Sequence, residues 1–192
     1  MRAPPWPTSH SIKLTVRVGI GDTTEGDPFL LRSRWRLPSP RCEHTKQHYR
    51  DFSRTFYTGP NAPTRHQKEL YKVAREQVQH NMAILRPGLS FRDYSQQAWP
   101  IPERYLANRY YLSAHGCGMT GEYPYLYHSI DFDQSGYDGV IEPGMTICVE
   151  SYIGEEHGDE GVKLEQQVLI TDGGTKLIST FPFEAALLGA PV

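Results

Sequence analysis

Four residues of this chain have the chemistry of metal ligands and sit in runs that could present them: Asp51, His115, Glu150 and Glu165. Asp51 opens Asp51-Phe52-Ser53-Arg54-Thr55, and His115 begins His115-Gly116-Cys117-Gly118. Glu150 closes the apolar run Met145-Thr146-Ile147-Cys148-Val149, and Glu165 closes Gly161-Val162-Lys163-Leu164. Three carboxylates and one imidazole make a mixed oxygen and nitrogen set. Such a set suits a divalent ion of the Mn, Fe, Co or Zn kind better than a metal that demands thiolates. An ion of that kind polarises a carbonyl and lowers the pKa of bound water. Taken singly, each residue has a plainer reading. An Asp before Ser is a turn or cap residue, a His beside glycines is packed or solvated, and a Glu after an apolar run marks a strand end. Cys117 and Cys148 read as small buried residues, because no paired thiol spacing supports them as ligands.

The elements that must position these groups can be read in outline. Thr64 with Gln67 forms a capping box. Leu70, Val73, Ala74, Val78, Met82 and Leu85 then recur at helical spacing until Pro87-Gly88, which predicts a helix over 64–86. A second, shorter helix is expected from about Arg92 to Pro100. After Tyr105 the pattern predicts strands joined by Gly-rich turns, notably Met145–Val149 and Val162–Thr171. Gly173-Gly174 is expected at the middle of a hairpin. The order, helix then strands, predicts an α+β fold. Residues 1–48 differ from the rest: one alternating stretch, Ile12–Val18, reads as a strand, and the Arg32–Arg41 tract has neither the strand nor the helix period. We expect an irregular segment over 1–48 and the functional domain over 49–192.

Composition narrows the classes. A net charge of -2 argues against a nucleic-acid binder driven by phosphate neutralisation. No apolar run approaches the roughly 20 residues of a membrane span. Met1–His10 lacks the apolar core of a secretory signal. Three cysteines form no even framework, so free thiols in a reducing, cytoplasmic compartment are expected.

The four runs taken together, in this order, resemble the pita-bread metallopeptidases of the creatinase, aminopeptidase P and Xaa-Pro dipeptidase type. The resemblance covers residues 49–180, the C-terminal half of that catalytic domain, and implies a curved antiparallel sheet with outer helices. It also implies that Asp51, His115, Glu150 and Glu165 occupy the family's metal-ligand positions. Two departures qualify it. The family carries an earlier metal-binding Asp where this chain has Pro40 and Arg41, with Glu43 and His44 the only nearby donors. One ion rather than two is therefore expected, and the chain is expected to be truncated at its N-terminus relative to the family. The second departure is Glu122, which stands where the peptidases place a second His. The shortened His-Gly-x-Gly run followed by Glu122-Tyr123-Pro124 is similar to the dimethylsulfoniopropionate lyase branch of the same fold. In that branch a Tyr, matched here by Tyr110, and an Asp, replaced here by Gly121, assist proton abstraction.

Three functions follow from the resemblance. The first is a metal-dependent Xaa-Pro aminopeptidase or dipeptidase-like hydrolase, with Glu150 shuttling a proton and Tyr110 and Glu122 as further catalytic candidates. The second is a lyase acting on a small sulfonium compound. The third is a non-catalytic fragment. The expected partners are a peptide or small-molecule substrate and, for assembly, a second copy of the chain; neither nucleic acid nor membrane is expected.

Overall fold

The computed structural model describes residues 13–17, 51–57, 61–118 and 122–189, the first of these spans as backbone only. The readings made above of Pro40, Arg41, Glu43, His44, Gly121 and the Arg32–Arg41 tract lie outside the described residues. A two-stranded antiparallel ribbon pairs β1 (Lys13–Arg17) with β2 (Ser53–Tyr57). Helix α1 (Arg65–Ile84) follows, then α2 (Phe91–Gln97) and the single turn α3 (Glu103–Leu106). A five-stranded sheet is built from β3 (Leu112–Gly116), β4 (Tyr125–Tyr127), β5 (Thr146–Gly154), β6 (Gly161–Thr171) and β7 (Gly174–Leu177). Its order is β4-β3-β5-β6-β7, and every pairing is antiparallel. Helices α4 (Ser129–Ser135) and α5 (Ala185–Leu188) complete the described chain.

The predicted long helix forms from its predicted cap. The Thr64 side chain accepts from the Gln67 amide while the Gln67 side chain accepts from the Thr64 amide, which satisfies two donors that a helix start would otherwise orphan. Its inward stripe, Leu70, Tyr71, Ala74 and Val78, is fully buried. Those residues meet the β5 face of Ile147, Val149 and Ile153 and the β6 face of Val162, Leu164, Val168 and Ile170. Each such Val, Leu or Ile contributes about 1.5–3 kcal/mol on burial.

Two turns fix how the sheet strands enter. At Glu142-Pro143-Gly144-Met145 the Met145 amide donates to the Glu142 carbonyl, and Gly144 has φ +90°. Pro then Gly in those central places is what a type II turn requires. The hairpin between β6 and β7 pairs Thr171 with Gly174, so its loop is Asp172-Gly173, one residue earlier than expected.

Pleating decides the function of the two faces. In a strand, alternate residues point to opposite sides. Ile147, Val149 and Ile153 therefore pack under α1, while Cys148, Glu150 and Tyr152 point the other way. Across the ladder, His115 pairs with Cys148, and Glu150 pairs with Glu165. The face away from α1 thus collects imidazole, thiol and carboxylates.

Two expectations need correction. Glu150 and Glu165 do not mark strand ends; both lie inside long strands and are wholly buried. The stretch after Tyr105 is not all strand and turn: α4 is a helix of seven residues. It shows one buried apolar residue, Phe132, beside an exposed Ile130, too little for a periodic signal.

Candidate metal centre

His115 is the centre of the donor face. It lies at the end of β3, where the Gly116 amide donates to the Pro124 carbonyl. A side chain at Gly116 would collide with the Tyr123 carbonyl and the Pro124 ring, which is why a glycine must follow the histidine. The ring Nδ1 faces the Gly116 carbonyl at 2.8 Å. A carbonyl can only accept, so Nδ1 carries the proton and Nε2 is the nitrogen turned to the carboxylates. Nε2 lies 2.9 Å from Glu150 Oε1 and 3.5 Å from Glu165 Oε1. Burial pushes the imidazole toward neutrality, but the Glu165 carboxylate and the Gly116 carbonyl together outweigh it and raise the pKa.

Glu165 is held from two sides. Ser53 Oγ donates to its Oε2 at 2.9 Å, and Arg54 Nη1 donates to its backbone carbonyl at 2.6 Å. Its Oε1 has no hydrogen-bond donor among the described residues. Burial alone would raise its pKa, yet His115, Lys163 and Ser53 together lower it. Glu150 takes a different partner: Lys163 Nζ forms an ion pair with its Oε2. The Lys163 ammonium also sits 3.9 Å from the Tyr110 ring centroid.

Cys148 was not among the ligands expected from sequence. His115, Cys148 and Glu165 each offer a ligand atom, all lying within 4.8 Å of one another, and all three residues are buried. A usable signal was present: Cys148 and Glu150 are two apart in one strand and so share a face. The Asp51 carboxylate is not part of that tight group. The Asp51 backbone carbonyl accepts from Cys148 Sγ at 3.3 Å, and the Asp51 charge is felt at the Cys117 and Cys148 thiols.

The other candidates flank this centre. Tyr110 stacks on Lys163, and its ring is 4.8 Å from that of Tyr111. Tyr111 in turn reaches Glu122 Oε2 at 3.4 Å. His128, wholly unremarked in the sequence reading, is buried with Nε2 3.0 Å from the Tyr110 carbonyl. It fixes the backbone that carries Tyr110.

This donor set fits a divalent cation. Two carboxylates buried side by side repel and lose hydration, one carboxylate oxygen has no donor among the described residues, and the histidine has its outer nitrogen on a backbone carbonyl as metal-binding histidines do. A profile of metallopeptidase family M24 matches residues 41–172. The chain belongs to this family. It is 34% identical over 139 residues to the dimethylsulfoniopropionate lyase DddP of Roseovarius nubinhibens, covering 72% of this chain and 31% of the lyase. It is 30% identical over 139 residues to the Xaa-Pro dipeptidase of Pyrococcus furiosus, covering 69% of this chain and 36% of the dipeptidase. The solved prolidase of Pyrococcus horikoshii OT3 matches with a TM-score of 0.56 and 26% identity, over 71% of this chain and 38% of that one. The M24 chain described here spans about a third of the length of these curated relatives. The expected α+β pita-bread half-domain is what the M24 match and the five-stranded antiparallel sheet give. Among the described residues, no helix is long and apolar enough to cross a membrane.

Proposed function

We propose that the donor face is a one-ion metal-dependent hydrolase site of the Xaa-Pro dipeptidase kind. The observation that supports it best is His115 Nε2 turned toward two wholly buried carboxylates, Glu150 and Glu165, with Nδ1 committed to a backbone carbonyl. His115 and Glu165 would hold the ion, with Glu150 and Asp51 completing the carboxylate set; its identity is one of Mn, Fe, Co or Zn. When bound, such an ion polarises a substrate carbonyl and makes water a better nucleophile. Glu150 is placed to carry a proton, because its Oε1 touches His115 and its Oε2 touches the Lys163 ammonium. The Lys163 ammonium lies between the Tyr110 ring and Glu150. Pro40 and Arg41 carry no carboxylate for a second ion, so hydrolysis is slow. Among the described residues Cys117 and Cys148 form no disulfide, in keeping with a reducing, cytoplasmic setting.

A second reading has its own support. Tyr110 stands beside the Lys163–Glu150 pair, and the identity to the Roseovarius lyase is 34%. In that reading Tyr110, or Glu122 acting through Tyr111, takes the proton alpha to the carboxylate of a small sulfonium substrate, and the sulfide leaves.

Two assays on metal-reconstituted protein separate these readings. One follows proline release from Xaa-Pro dipeptides, the other acrylate release from dimethylsulfoniopropionate. The hydrolase reading expects one ion per chain by calorimetry and slow proline release that Glu150→Gln abolishes and Tyr110→Phe spares. Acrylate release abolished by Tyr110→Phe overturns it in favour of the lyase. Protein that binds the ion and turns over neither substrate is a non-catalytic member of the family.

A further inference from the structure

We propose that Lys163 is the resident counter-cation of the donor face: its ammonium holds the buried carboxylates together in metal-free protein and, by staying beside them, weakens the hold on the divalent ion. The inference rests on the reading that Asp51, His115, Glu150 and Glu165 bind one divalent ion, and goes beyond it by naming the residue that sets the affinity.

Lys163 is fixed at both ends. Its amide donates to Thr55 Oγ1 at 3.0 Å, and its carbonyl accepts from the same hydroxyl at 2.9 Å, which pins this point of β6 to β2. It lies two residues before Glu165 in the strand and so on the same face. Its side chain is 15% exposed, and the ammonium forms an ion pair with Glu150 Oε2. The Tyr110 ring centroid is 3.9 Å from the same nitrogen, and a ring face attracts a cation. Apart from that ion pair, Glu150 Oε2 has no partner among the described residues. The Lys163 charge is also felt at Glu165. Arg54 does not share this task, because its guanidinium is turned to backbone carbonyls and to Gln166. Among the described residues, Lys163 is the ammonium or guanidinium that touches the Glu150 or Glu165 carboxylate.

Charge counting gives the consequence. Asp51, Glu150 and Glu165 carry -3 with His115 neutral. Lys163 brings the face to -2, and one dication then brings it to zero. In a Lys163→Met variant the same two states carry -3 and -1. Like charges buried without a cation are the costlier condition, so loss of the ammonium harms metal-free protein more than loaded protein. The same change removes a positive charge that repels the incoming dication, so the ion binds more tightly. Stability without the ion and affinity for it therefore move in opposite directions. A lysine with a purely structural role would lower stability and leave the affinity no tighter.

The test compares wild type, Lys163→Met and Lys163→Arg after removal of metal with a chelator. Calorimetry with Mn²⁺ reads the affinity, and urea denaturation with and without saturating Mn²⁺ reads the stability. Lys163→Met should bind Mn²⁺ about tenfold more tightly or better. Its urea midpoint should fall by about 1 M in metal-free protein and by less than half of that with the ion. Lys163→Arg keeps the charge and should stay within about threefold of wild type in affinity. A Lys163→Met protein that folds only when Mn²⁺ is added is the limiting form of the expected result, because the dication then replaces the ammonium. An affinity that is unchanged or weaker in Lys163→Met overturns the proposal and leaves the one-ion site standing. A variant that stays unfolded at saturating Mn²⁺ also overturns it, as does an affinity raised equally in Lys163→Arg. Wild-type protein that binds no Mn²⁺ overturns both the proposal and the one-ion site.

Discussion

Arg54 is the buried side chain whose loss should cost most. It is 1% exposed, and its guanidinium donates to five acceptors. Nη1 reaches the carbonyls of Ser53 at 2.9 Å and Glu165 at 2.6 Å. Nη2 reaches Gln166 Oε1 at 2.7 Å and the Phe181 carbonyl at 2.6 Å, and Nε reaches the Pro182 carbonyl at 3.2 Å. The Phe183 ring lies 4.6 Å from the guanidinium carbon. One residue thereby ties β2 to β6 and to the segment before α5. Arg54→Met keeps the bulk of the side chain and strips all five donors. A hydrogen bond from a charged donor contributes about 1.5–3 kcal/mol, but five such terms do not add, and water can reach the part-buried Phe181 and Pro182 acceptors. The acceptors at Ser53, Glu165 and Gln166 are buried, so the cost should be about 3–5 kcal/mol, as for other buried charged networks that lose one partner. At about 3 °C per kcal/mol for a chain of this size, the melting temperature falls by about 10–15 °C. Arg54→Lys should recover less than half, because one ammonium cannot face acceptors on two sides. Urea denaturation followed by circular dichroism measures both variants. A loss below about 1 kcal/mol for Arg54→Met would refute the claim that this fork holds β2 against the sheet.

Two further outcomes follow from the same contacts. Ser53→Ala removes the hydroxyl that donates to Glu165 Oε2; divalent-ion affinity measured by calorimetry should fall about 10–100-fold, the usual effect of an outer hydrogen bond on a metal ligand, with unfolding free energy lower by only about 1–2 kcal/mol. His128 supplies a pH dependence: burial is the main cause of a pKa below the ordinary imidazole value of about 6.5. The folded state then binds fewer protons than the unfolded one. Stability from this group is complete above about 6.5 and is lost as pH falls through the lowered folded value. A His128→Gln variant should show a flatter stability profile between pH 7 and 5, and an unchanged slope would remove His128 from the account.

How much of this was legible before any coordinates depended on periodicity and on local chemistry. Helix α1 was, because Thr64 and Gln67 make a self-contained cap and its apolar stripe is long. The turn at Pro143-Gly144 was legible for the same local reason. His115, Glu150 and Glu165 were marked by family resemblance, and the sheet register brings them together. What failed was the reading of charge as an end signal. Glu150 and Glu165 sit inside strands because each finds a partner, Lys163 for one and Ser53 for the other, that no linear pattern displays. Cys148 was read as a small buried residue and is one, but its place opposite His115 across the ladder could not be read along the sequence. Arg54 stood in plain view in the Asp51–Thr55 run, but its acceptors lie on β6 and near the C-terminus.

The donor face and the core are two sides of the same three strands, and this ties the site to the fold more tightly than a loop site would be tied. Sliding β5 by one residue against β6 would exchange Glu150 with Val149, placing a carboxylate against α1 and an aliphatic side chain in the donor cluster; sliding β6 instead would do the same with Glu165 and Leu164. Either slip would bury an unpaired carboxylate under α1 at several kcal/mol, and the aliphatic loss from Val149 or Leu164 would add about 1.5–3 kcal/mol. The hydrophobic core therefore enforces the register that converges His115, Cys148, Glu150 and Glu165. Those four come from β3, β5 and β6 alone, whose pairing is complete within residues 112–171. Residues of β2 refine the site, through Ser53 and Arg54, but do not create it. A domain that keeps this hairpin and its α1 cover keeps three neighbouring donors, whatever becomes of the segment that would serve a second ion.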